Sequence, residues 1–70
     1  MKNKSQEILL TLLETGESVD FEKFKRKVKM ASSLRNVVNR LRSRGAEIME
    51  YETGKFKAVS PELIRSQVEQ

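Results

Sequence analysis

Neither cysteine nor histidine occurs in this chain of 70 residues. Without cysteine there are no disulfide staples, thiolate nucleophiles or thiolate metal ligands. Without histidine the chain lacks the commonest general base and a principal zinc ligand. Aromatics are scarce: three phenylalanines and one tyrosine, which the core needs and which leave little for stacking. No glycine-rich phosphate loop is present, and no serine or carboxylate stands in a pattern that pairs it with a base. The longest unbroken apolar run, Ile8 to Leu10, is far short of a membrane span or a signal-peptide core. These absences predict no enzyme, no metal, no cofactor and no membrane partner; a soluble, cytoplasmic protein is the expectation. No repeat, linker or low-complexity tract divides the chain, so residues 1–70 read as one domain. That length is near the lower limit for a single hydrophobic core.

What is present is charge, unevenly placed. The net charge is +4, and residues 20–44 own it: nine Lys/Arg stand against Asp20 and Glu22, a net of +7. Residues 1–19 carry −1 and residues 45–70 carry −2. Segregation of this kind is the footprint of a face that meets a polyanion. The densest part is SSLRNVVNRLRSRG, residues 32–45, with four arginines, two asparagines and three serines around four aliphatic residues and no acid. A merely solvated helix would mix in glutamates.

Five elements follow from periodicity and end signals. A helix from about Ser5 to Thr15 places Ile8, Leu9, Leu12 and Leu13 on one stripe, with Ser5 as N-cap and Gly16 as terminator. A second helix runs from the cap Asp20 to about Lys29 and buries Phe21, Phe24 and Val28, with Val19 packing back as a staple. A third, capped by Ser32 and ended by Gly45, turns Leu34, Val37, Val38 and Leu41 inward. Ser32, Arg35, Asn36, Asn39, Arg40 and Ser43 then fall on the opposite side. Glu47 to Val59 reads as a hairpin turning at Thr53-Gly54, with Tyr51 and Phe56 as packing residues. Ser60-Pro61-Glu62 starts a short final helix with Leu63, Ile64 and Val68 on one side. The fold class is α+β, mainly α: a winged helix-turn-helix of three helices, a β-hairpin wing and a short C-terminal helix.

At residues 6–59, ILLTLLETGESVDFEKFKRKV, SLRNVVNRLRSRGAEI and GKFKAV together resemble winged helix-turn-helix DNA-binding domains of the kind that begin biotin-ligase repressors. They are similar, more loosely, to response-regulator output domains. The most specific part is the run Leu34–Val38–Leu41–Arg42–Gly45–Ile48, followed by a Gly-Lys hairpin ending at Val59. The resemblance implies that helix 32–44 enters the DNA major groove while a wing tip of Thr53, Gly54 and Lys55 touches the backbone. Phe56 and Lys57 depart from the family's usual Gly-Tyr after Gly-Lys, and the turn before the third helix lacks the usual glycine. Glu50 and Glu52 would repel phosphate if they faced it.

The residue types lead to the same place by themselves, since arginine matches guanine edges and asparagine matches adenine edges. Expected base contacts are Ser32, Arg35, Asn36, Asn39 and Arg40. Expected backbone contacts are Ser33, Lys23, Arg26, Lys27, Arg42, Arg44 and Lys55; Arg42 and Arg44 have Glu47 or Glu50 as alternative partners. The expected function is a small double-stranded DNA-binding protein, a sequence-specific transcriptional regulator. The alternative is a winged-helix protein-interaction module, a phage-type inhibitor or complex subunit, docking an acidic protein partner. RNA is a weaker third option, because no stacking platform is visible. A homodimer through Leu63, Ile64 and Val68 is weighed against packing of that side on the first helix.

Overall fold

The structure, a computed structural model, describes residues 4–28 and 33–69. In chain order these form α1 (Lys4–Glu14), α2 (Phe21–Lys27), α3 (Leu34–Ser43), β1 (Ile48–Glu52), β2 (Lys55–Ala58) and α4 (Ile64–Val68). The fold is α+β and mainly helical, with an antiparallel hairpin, a layout compatible with a winged helix. No helix among the described residues is long and apolar enough to cross a membrane.

α1 is the central element, packing against α3, α4, α2 and β2. Being covered on several sides, it buries Leu9, Leu10 and Leu13, while Ile8 and Leu12 lie half-buried at the margin. Leu10, outside the stripe expected from sequence, is drawn in by this wider coverage. Ser5 does not cap the helix: α1 already begins at Lys4. Its other end is as expected, with Gly16 in left-handed conformation (φ 85°) and its N–H donating to the Leu13 carbonyl.

Asp20 caps α2, its carboxylate accepting from the Lys23 N–H at 2.9 Å. Phe24 and Val28 are buried, but Phe21 is not; it remains 44% exposed beneath the Lys25 ammonium, 5.9 Å from the ring centroid. Val19, just before the cap, is fully buried. Val19 is locked there by two backbone hydrogen bonds with Phe56, at 2.8 and 2.9 Å. The residue before the cap is thus a one-residue strand against β2 rather than only a staple.

Leu34, Val37, Val38 and Leu41 of α3 are all buried, as their spacing requires. The cap is Ser33, whose hydroxyl accepts from the Asn36 N–H at 3.4 Å. Ser32, expected in that role and as a base contact, lies outside the described residues, as does Lys29 at the expected end of the second helix. Gly45 ends the helix at φ 109°, where a Cβ would meet the Gln67 carbonyl oxygen at 2.6 Å. Only glycine satisfies both conditions.

The hairpin turns at Thr53-Gly54, pairing Ile48 with Ala58, Met49 with Lys57, Glu50 with Phe56 and Glu52 with Lys55. The register shifts between Glu50 and Glu52, so Tyr51 is an extra residue in β1, a bulge. Phe56 packs in the core, but Tyr51 is 48% exposed, against its expected packing role, on the same outward face of β1 as Met49.

Ser60 and Pro61 open a turn, closed by the Leu63 N–H on the Ser60 carbonyl at 2.9 Å, and α4 proper begins only at Ile64. Leu63 therefore points to solvent while Ile64 and Val68 are buried. Ile64 and Val68 are used in the core, where α4 packs on α1 as the first of the two readings has it, and Leu63 alone of the three is exposed.

Candidate nucleic-acid interface

The outward side of α3 is set by its inward side. Four aliphatic residues fix the rotation of the helix, and Arg35, Asn36, Asn39, Arg40 and Ser43 are left exposed. The Asn36, Asn39 and Arg40 side chains hydrogen-bond no protein group among the described residues. Ser43 donates from its hydroxyl to the Asn39 carbonyl at 3.0 Å, leaving the Asn39 amide group itself unengaged. These side chains offer two amides, each a donor and an acceptor, beside one guanidinium.

Arg35 is different. Its Nη1 and Nη2 donate to Oε1 and Oε2 of Glu50 at 2.8 and 2.7 Å, a fork-on-fork pair reaching from α3 to β1. The same Oε2 accepts the Gly54 N–H at 2.8 Å. The guanidinium carbon also lies 5.5 Å from the centroid of Phe56. The Arg35 fork, first, and the Gly54 N–H, second, draw the Glu50 carboxyl down to about 2. Glu50 in turn raises Arg35 above its already high value. The charge of Glu50, which would repel phosphate if it faced it, is thus balanced in place by Arg35. Glu52 is neutralised as well, by Lys55 at 3.1 Å, and that contact raises the lysine.

Of the expected backbone contacts, four are engaged within the protein. Lys23 turns back onto Glu17 and the Ser18 carbonyl. Arg42 grips the Ile48 carbonyl through Nε (3.2 Å) and Nη2 (2.7 Å), fixing the start of β1. Arg44 reaches Gln6 of α1 and the Val68 carbonyl at the end of α4, where a cation suits the helix dipole. Neither arginine pairs with Glu47 or Glu50; Glu47 is bound through Gln67, which accepts its N–H at 2.8 Å and donates to its carboxylate at 2.9 Å. Lys55 is the fourth, through its exposed pair with Glu52, and surface pairs of this kind bind weakly.

Arg26 and Lys27 are exposed without a protein partner among the described residues, but they diverge. Arg26 borders a shallow recess with Asp20, Glu22 and Lys23, whereas Lys27 borders one with Glu7, Ile8 and Leu12 of α1. The basic side chains of α2 fan out rather than form one strip. Ser33 is exposed, its hydroxyl used in capping. Two exposed residues escaped the sequence reading: Lys57, across from Met49, and Met49 itself. With Tyr51, Lys23 and Glu17 they line an open cleft on the outer hairpin face. Strand alternation was the available signal for Met49 and Lys57; for the Arg35–Glu50 pair, fifteen positions apart, there was none. Among the described residues no group of acidic side chains is arranged to hold a metal ion.

Comparison of the chain with family models, with curated proteins and with solved structures finds no match.

Proposed function

We propose that this chain is a small double-stranded DNA-binding protein of winged-helix type, a sequence-specific regulator that reads the major groove with α3. The observation that carries the reading is the acid-free outer side of that helix. Asn36, Asn39 and Arg40 stand there exposed, their side chains without a protein partner among the described residues, on a rotation fixed by four buried aliphatics. Unpaired amides and a guanidinium on one helix side are what base edges require, and a solvated side has no need of them. Arg26, exposed on α2, supplies positive charge for phosphate, and Lys55 joins it when phosphate displaces Glu52.

The test is selection of bound duplexes from a random-sequence pool at two salt concentrations. A recovered motif and a steep loss of binding with salt support the reading. Salt-dependent binding without a motif removes the sequence-specific part. No binding at low salt overturns the reading and leaves the protein-docking alternative. The observation favouring that alternative is the exposed pair Met49 and Tyr51 beside Lys57, an apolar and basic surface suited to an acidic partner.

A further inference from the structure

We infer that Glu50 acts as a positioning residue that withholds Arg35 from DNA and ties the wing tip to the reading helix. This rests on the DNA reading above and changes the assignment within it: Arg35, though on the outer side of α3, is not one of the residues that read bases.

Three observations converge. Both terminal nitrogens of Arg35 are spent on one carboxylate, so the fork that would meet guanine O6 and N7 is occupied. The guanidinium lies by Phe56, which is 1% exposed and bonded through its backbone to Val19, so the arginine rests on rigid core. Glu50 simultaneously accepts the Gly54 N–H at the hairpin turn, so one carboxylate fixes both the α3 side chain and the loop beside it. The carboxylate is the less exposed partner, with its side chain at 24% against 51% for Arg35. The pair is therefore anchored from the wing and presented at the helix.

The functional consequence is selectivity. A free arginine at this position would add affinity for every duplex through phosphate, diluting the contribution of Asn36, Asn39 and Arg40. Held by Glu50, it adds no net charge to the face and keeps the wing at a set distance from α3. A glutamate on a DNA-facing wing is in this way a device against indiscriminate binding.

The experiment compares wild type, Glu50→Gln, Arg35→Ala and the double variant on the selected duplex and on random-sequence duplex, across a salt series. Glutamine keeps an acceptor for Gly54 while removing the charge that holds Arg35. Expected for Glu50→Gln is about threefold tighter binding to random-sequence duplex, with a salt slope steeper by about 0.9, the signature of one added phosphate contact. Preference for the selected duplex narrows accordingly. Arg35→Ala in the wild-type background changes affinity less than twofold, and in the double variant it abolishes the gain. Unchanged or weaker binding by Glu50→Gln, or a large loss in Arg35→Ala alone, overturns the inference while leaving the DNA reading standing. Failure of wild type to bind any duplex at low salt overturns both.

Discussion

Among the described residues two arginines hold carboxylates across elements, and they do so in unlike company. Arg65, in α4, meets Glu7 at 2.6 Å and Glu14 at 2.9 Å, both from α1, and reaches Thr11 between them. Arg35 meets Glu50 alone. The first cluster has two acids to one base and a net negative charge, and it staples two helices already joined through Ile64 and Val68. The second is neutral, has the more exposed arginine and the less exposed carboxylate, and joins a helix to a hairpin that carries exposed lysines. An arginine oversupplied with carboxylate on a surface that repels polyanions is a structural fastener. An arginine balanced by one carboxylate, beside unpaired amides, stands where its release would change what the surface binds.

The comparison can be broken most forcefully at Gly45, which ends α3 against the α4 backbone. Gly45→Ala is expected to cost roughly 1–3 kcal/mol of unfolding free energy, from backbone strain alone, and to disturb both clamps together; urea unfolding measures it. Asn39→Ala, on the open side, is expected to weaken the selected duplex by about 1–3 kcal/mol with little effect on random duplex or on stability. Equal loss on both duplexes would make Asn39 a general contact. Arg65→Ala should do the reverse: about 1 kcal/mol off the unfolding free energy, given partly exposed pairs, with DNA affinity unchanged within twofold.

The smallest effect is in acid. Glu50, facing Arg35, with Arg42 further off and the Gly54 N–H against it, holds its proton off until about 2, below the ordinary 4.5. Between those values the unfolded chain binds a proton that the folded chain does not, so stability falls as pH falls through the window. Glu14, beside Arg65, and Glu17, beside Lys23, are lowered too and act in the same direction. Glu50→Gln should therefore flatten the acid limb of a stability–pH curve without abolishing it. A curve superimposable on wild type would mean that the Arg35 fork is open in solution.

Much of the scaffold was legible because it is local. The spacing of Leu34, Val37, Val38 and Leu41 fixed the rotation of α3 and hence the identity of its outer side. Asp20 announced a helix start, and Gly16, Gly45 and Gly54 announced turns. What escaped was settled at a distance. Phe21 stays on the surface while Val19, tied by backbone bonds to Phe56, is fully buried. Pro61 promised a helix start, but residues 60–63 close as a turn and the helix begins only at Ile64. Five of the eight cations expected to meet base or phosphate are occupied within the fold, namely Arg35, Arg42, Arg44, Lys23 and Lys55. Residue type shows that an arginine can meet an anion; it does not show which anion arrives first.

The pairing of Val19 with Phe56 also bears on how the chain folds. It closes a long loop, enclosing α2, α3 and most of the hairpin, and such closures are slow because their entropy is lost before any contact is made. The backbone of Phe56 is tied into the core only once that loop has closed, so the hairpin and the entry to α2 should protect their amides from solvent exchange as one cooperative unit.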